Sequence, residues 1–227
     1  MKGKDWAAGA RIKILAGHYG SGKTEIALNM ALSIRQAGLE TALIDLDVVN
    51  PFFRSAERGA WLARHDIALI APNFALTAVD VMSLPPEVMS VFARPHLRAV
   101  FDIGGDDAGA AALGQYHEPL TATGYELLYV INIFRPRSFA ADDILNMIER
   151  VSLRSRLLPA GLINNANLGP ETTHVELERG VEALRTVSER SGLPIVAHCG
   201  TAEALAAFSD THAPRFQIER LMAPEWI

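Results

Sequence analysis

The chain has 227 residues, of which 49% are hydrophobic, 21% charged and 7% aromatic, with a formal net charge of −5. That composition excludes a disordered polar chain, a collagen-like polymer and a disulfide scaffold, and the single cysteine, Cys199, leaves no intrachain bridge to form. The acidic balance argues against bulk binding of nucleic acid, which needs a basic face, and the length suits one domain over residues 1–227.

Short apolar runs alternate with amphipathic stretches along the chain. Arg11–Ala16, Thr41–Leu46, Ile67–Ala71, Ala99–Ile103, Glu126–Asn132, Ala160–Asn164 and Pro194–His198 read as strands. Most are continuously apolar rather than alternating, the pattern of parallel strands covered on both faces. Lys23–Gln36 reads as a helix with Ile26, Met30 and Ile34 on one stripe, ended by Gly38 as a left-handed residue. Asn73 to Pro95, broken by Pro85-Pro86, reads as an irregular lid or insertion. Ser138–Val151 reads as a helix capped by Ser138, with Ile144, Ile148 and Val151 on one face. Thr173-x-x-Glu176 has the form of a capping box, opening a helix that Gly192 and Pro194 close. Arg215–Met222 is long enough for a brief helix only, too weakly basic for a membrane anchor. The alternation predicts an α/β fold: a doubly wound, mostly parallel sheet with helices on both faces.

No apolar run approaches the roughly 20 residues needed to cross a bilayer, and no apolar stretch follows the N-terminal charges as in a secretory signal. A cytoplasmic protein that engages neither membrane nor nucleic acid is expected.

Gly17-His18-Tyr19-Gly20-Ser21-Gly22-Lys23-Thr24 fits G-x-x-x-x-G-K-[ST] at every fixed position, after a strand and before a helix. Glycines at Gly17, Gly20 and Gly22 let backbone N–H groups turn inward around phosphate oxygens, and the helix N-terminus adds positive potential. Lys23 is expected to reach the β- and γ-phosphates, and the Thr24 hydroxyl to ligate Mg²⁺. Ser21 and Glu25, within and just past the motif, are counted with the nucleotide-binding residues. Asp45 and Asp47 end the second predicted strand, and Asp102 lies near the end of the fourth, at the edge where open α/β sheets bind ligands. Asp102 is the expected Mg²⁺ residue. Asp47 is the expected water-positioning residue, and with Lys23 it forms the expected catalytic pair. Gly104-Gly105 would let backbone approach the γ-phosphate.

On these segments, with Gly161-Leu162-Ile163-Asn164-Asn165, the chain resembles the MinD/ParA-type (CobQ/CobB/MinD/ParA) P-loop ATPases from about Arg11 to Gly200. Within that group it is similar to little-characterised members with a D-x-D-x-x-N-P-x-F-R segment, here Asp45 to Arg54. The resemblance implies Mg²⁺ and ATP as cofactors, with Asp47 in the water-positioning switch I role and Asp102 in the switch II Mg²⁺ role. Asp47 is counted with Thr24 and Asp102 among the expected metal residues. Many relatives carry lysine as the second loop residue, reaching across a dimer to the partner's phosphates. His18 stands there in this chain, so the trans-lysine contact and the homodimer it serves lack their usual residue. The likeness to the nitrogenase iron protein points to Asn165 rather than Asn164 as the base reader. An asparagine amide matches the donor and acceptor edge of adenine, and the Asn-Lys-x-Asp guanine signature is absent.

None of the 7 histidines makes a His-x-x-x-His or His-x-His pair, and Cys199 at a strand end reads as a small core residue. Arg135-Pro136-Arg137 after the fifth strand reads as a solvated loop sooner than a phosphate contact. Phe52-Phe53 reads equally as a partner surface or as one core ring and one rim ring. The sequence therefore predicts a Mg²⁺-ATP-binding, slow switch-type ATPase acting on a protein partner or assembly process. The alternative is an ATP-dependent small-molecule kinase or ligase resembling dethiobiotin synthetase. That class usually has a Lys-Pro substrate segment where this chain has Asp45-Leu46-Asp47.

Overall fold

The structure is a computed structural model that describes residues 3–47, 59–71, 87–105, 107–135 and 140–222. Its strands are β1 (Ile12–Ala16), β2 (Thr41–Leu46), β3 (Ile67–Ile70), β4 (Arg98–Ile103), β5 (Tyr125–Ile131), β6 (Pro159–Asn164), β7 (Ile195–Gly200) and β8 (Arg215–Gln217). They form one sheet in the order β3-β2-β4-β1-β5-β6-β7-β8, and every pairing is parallel. Every residue of β1 and β2 is buried, which is why their sequences are mostly apolar and do not alternate.

The helices are α1 (Lys23–Gln36), α2 (Gly59–Arg64), α3 (Glu87–Ala93), α4 (Asp107–Gly114), α5 (His117–Thr123), α6 (Ala141–Ser155), α7 (His174–Ser191) and α8 (Ala202–Ala206). Ile14, Ile44, Phe101 and Tyr129 face Val88 of α3, Leu113 of α4, Ile148 of α6 and Leu184 of α7. On the opposite face, Leu15, Leu43, Val100 and Val130 meet Ile26, Met30 and Ile34 of α1, with Trp6 and Phe216 beside them. The predicted bounds of α1 hold, Gly38 beyond it has φ +84°, and the Thr173–Glu176 capping box opens α7. No helix among the described residues is long and apolar enough to cross a membrane.

Several expectations need correction. Arg215–Met222 is no helix: Arg215–Gln217 adds β8 to the sheet, because the backbone groups on the open edge of β7 need partners. The Arg215 guanidinium fixes that addition by donating to the Leu205 and Phe208 carbonyls. Residues 218–222 then return over α1. Strand β7 runs on to Gly200. Helix α6 starts at Ala141 after an uncapped Ala140, and Ser138 lies outside the described residues. Within the stretch read as irregular, Glu87–Ala93 is helical, while residues 73–86 lie outside the described residues.

Periodicity also misses a buried charge. Lys13, in the central strand, is 2% exposed; its Nζ donates to the Ala8 carbonyl and to Glu126 Oε2 on neighbouring β5. Burial lowers the Lys13 pKa from the usual lysine value, and the hydrogen bond that Lys13 donates to Glu126 opposes the fall. Glu126→Ala would strand that ammonium, so urea unfolding should show a loss of roughly 2–3 kcal/mol. Lys13→Met/Glu126→Leu should recover most of it. A single variant as stable as wild type would show the pair to be unimportant.

Candidate functional site

Strand β1 lies between β4 and β5, and at its carboxyl end the chain turns through Gly17–Thr24 into α1. Gly17, Gly20 and Gly22 take φ of +143°, +75° and +89°. Such left-handed steps turn consecutive N–H groups toward one concavity, the geometry that holds an anion. Gly22 is needed twice over: its φ strains any L side chain, and a Cβ there would strike the Asn165 amide. Across the loop, Ser21 N and Lys23 Nζ both donate to the His18 carbonyl, each at 3.1 Å.

Parallel register sets Asp102 opposite Leu15 on β1 and opposite Asp45 on β2. Leu15 packs toward α1, so the Asp102 carboxylate is also directed to that face. There the Thr24 hydroxyl donates to Asp102 Oδ2 at 2.5 Å. Asp102 Oδ1 is buried and has no hydrogen-bond partner among the described residues. Burial raises the Asp102 pKa to about 6; nearby Lys23 and the Thr24 hydrogen bond pull it down, and Asp47 pushes it further up. An acceptor without a donor, beside a hydroxyl oxygen, is a donor set suited to a hard divalent cation. Among the described residues no group of three or more His, Cys, Asp or Glu side chains is placed to hold a metal. A cation on Thr24 and Asp102 would therefore draw other ligands from phosphate and water, as Mg²⁺ does.

Asp47 N donates to Asp45 Oδ1 at 3.0 Å, which fixes the turn leaving β2. The rest of that segment, with Asn50–Arg54, lies outside the described residues, as does Asp106. Gly105 packs directly on the loop: a Cβ there would lie 2.6 Å from Tyr19 N and 2.9 Å from the Gly17 carbonyl. Only glycine allows the end of β4 so close.

The two asparagines after β6 have different partners. Asn164 is fully buried; its amide donates to the Leu177 carbonyl and meets His198 Nδ1, while its Oδ1 accepts from Ala166 N. Asn165 instead turns to the loop, donating to the Ser21 carbonyl at 2.7 Å. Asn165 also lines a cavity of about 390 Å³ with Gly20, Gly22, Arg135, Arg220 and Met222. Glu25 borders the same cavity, and its carboxylate accepts from Leu221 N and Met222 N at 2.6 and 3.1 Å. It thus braces the chain's final described segment. The His18 ring bends back, its Nδ1–H donating to the Tyr19 carbonyl at 2.9 Å. Cys199 is buried, and burial pushes its thiol pKa far up, as suits a core residue.

The model of the CobQ/CobB/MinD/ParA nucleotide binding domain matches residues 12–212. The chain belongs to that family. No curated protein matches it. FtsY from Mycoplasma mycoides shares its fold at a TM-score of 0.53 and 16% identity, over 83% of this chain and 59% of that one. FtsY from Thermotoga maritima follows at 0.51 and 15%, over 86% and 63%. FlhF, solved with GTP and Mg²⁺, matches at 0.52 and 14%, over 84% and 66%. The chain thus spans about three-fifths of the length of the FtsY proteins it resembles. As a P-loop nucleotide-binding domain, it carries its predicted loop, Asp102 and Asn165 at one sheet edge.

A carboxyl raised from 3.8 to about 6 keeps its proton in the folded chain while the unfolded chain loses it. Stability therefore falls as pH rises through that window, and the full cost is present above about pH 6. Without metal or nucleotide, Asp102→Asn should stabilise the chain by roughly 2–3 kcal/mol at pH 7.5, at about 1.4 kcal/mol per pKa unit. At pH 4 it should change little. Urea titrations in EDTA at the two pH values test this, and equal effects at both would contradict it.

Proposed function

We propose that the chain is a Mg²⁺-dependent, slow switch-type ATPase whose nucleotide state governs a protein partner or an assembly process. The observation that carries this reading is the Thr24–Asp102 contact, with its unbonded carboxylate oxygen, beside Lys23 at the mouth of a phosphate loop. On this reading Lys23 exchanges the His18 carbonyl for the β- and γ-phosphates, and the loop amides bind the remaining phosphate oxygens. Thr24, Asp102 and Asp47 would hold Mg²⁺, which when bound neutralises charge developing on the phosphate oxygens. Asp47 accepts a hydrogen bond from the attacking water and aims it along the line of the departing phosphate bond. Gly105 sits against Gly17 and Tyr19, so a γ-phosphate entering the loop also meets the backbone after β4. Loss of the γ-phosphate after hydrolysis would release the backbone at Gly105, the conformational output of a switch.

Lys23→Ala should abolish nucleotide binding by calorimetry. Asp47→Ala should keep ATP affinity and slow phosphate release by about 10²–10⁴-fold, the scale of a positioned acid–base group. Phosphate release seen only when a small-molecule acceptor is added would replace the switch with a kinase or ligase.

The choice of ATP rests on Asn165, whose amide borders the cavity beside the loop. The FlhF structure holds GTP, so the base is the sharper question for this fold. Asn165 also braces Ser21, and losing that brace would weaken all nucleotides alike. A base reader has a different signature. Asn165→Ala should weaken ATP by roughly 1–2 kcal/mol more than it weakens pyrophosphate and narrow the advantage of ATP over GTP. Equal ATP and GTP affinities in the wild type, by competition against a fluorescent nucleotide, would remove the adenine reading.

A further inference from the structure

Four residues beyond β5, a cation is held against the phosphate loop. Arg135 Nε donates to the Gly20 carbonyl at 3.1 Å, and its Cδ and Nε would lie 3.6 Å from a Cβ built on Gly20. The Arg135 side chain therefore lies beside Gly20, through its Cδ and Nε. Its terminal nitrogens have no hydrogen-bond or carboxylate partner among the described residues, and the side chain borders the cavity that begins at Gly20 and Gly22.

That placement is built. Asn132, fully buried, accepts from Phe134 N and Asn167 N through Oδ1, both at 3.1 Å, and donates to the Asn167 carbonyl. Arg135 N closes the turn on the Asn132 carbonyl at 3.2 Å, and the Arg179 guanidinium covers the Phe134 ring at 5.0 Å. The turn is thereby tied both to the segment after β6 and to α7.

The charge balance gives this cation a task. A nucleoside triphosphate brings several negative charges to a site whose nearby side chains include Asp47 and Asp102, while the His18 ring is folded onto its own loop. Lys23 is the cation within the loop itself, and it projects from the helix side.

We propose that Arg135 binds the terminal phosphates of the nucleotide in cis, its terminal N–H groups gripping oxygens above Gly20. Its flat fork suits two phosphate oxygens, and the Nε bond to Gly20 orients the fork before the ligand arrives. The proposal rests on the loop being a nucleotide site but not on which base is bound.

The test is calorimetry with Mg²⁺ and ATPγS, GTPγS, ADP and GDP on wild type, Arg135→Ala and Arg135→Lys. Arg135→Ala should weaken the better triphosphate analogue about 10–100-fold and the matching diphosphate less than about 3-fold. The melting temperature should be unchanged, and Arg135→Lys should recover part of the loss. Unchanged triphosphate affinity would overturn the proposal. So would equal losses for triphosphate and diphosphate, which mark Arg135 as a brace of the loop. A preference for GTPγS would defeat the ATPase reading yet leave this test intact, whereas no nucleotide binding by wild type would defeat both.

Discussion

Asp102 is ionisable, fully buried, and bonded through only one of its oxygens. A carboxylate in that position costs free energy unless positive charge reaches it, and the surroundings bring that charge close without completing it. Lys23 and Thr24 approach from α1, while parallel pairing with β1 and β2 fixes the carboxylate beneath the loop. The site is therefore assembled around an unmet electrostatic need. A divalent cation bound with a polyphosphate would meet it, at a site where the buried carboxylate otherwise costs stability.

The loop above that carboxylate has little side-chain mass of its own, so its shape depends on braces from distant segments. Asn165 holds the Ser21 carbonyl, and Asn132 ties the turn after β5 to the segment after β6. Along α1, Asn29 exchanges hydrogen bonds with the backbone of Glu219, and Glu25 receives two more from residues 221 and 222. These contacts are amide or carboxylate side chains on main chain, which fixes distance and orientation better than apolar packing does. The final described segment, joining the sheet as β8 and folding back over α1, becomes part of the cavity wall.

Much of this was legible in the sequence for local reasons. A strand running straight into a glycine loop and a helix needs no distant partner to be recognised, and Lys23–Gln36 formed as its stripe of Ile26, Met30 and Ile34 required. The capping box at Thr173 is likewise complete within four residues. What escaped depends on separations that periodicity does not carry. Lys13 and Glu126 are 113 positions apart, and Lys13 inside an apolar run looks like an interruption rather than half of a pair. Arg215–Met222 has short-range features of neither helix nor strand, and its form is set by the open edge of β7. Arg135 sat in a Pro- and Arg-rich turn that resembles any solvated loop. Its place after a strand carboxyl end, on the same edge as Gly17–Thr24, was the signal available for it. Asn164 and Asn165 are adjacent and chemically identical, and only the fold separates the one buried against His198 from the one facing the loop.

Electron paramagnetic resonance with Mn²⁺ in place of Mg²⁺ tests the centre of this account most directly. With ATPγS present, the bound Mn²⁺ should show hyperfine coupling to phosphorus, since the cation is expected to lie between Thr24, Asp102 and the phosphate tail. Thr24→Val, which keeps the side chain's size but removes its oxygen, should weaken or abolish that signal while the chain remains folded. Mn²⁺ bound without phosphorus coupling, or an unaltered spectrum in Thr24→Val, would contradict the assignment of Thr24 and Asp102 as the metal's seat.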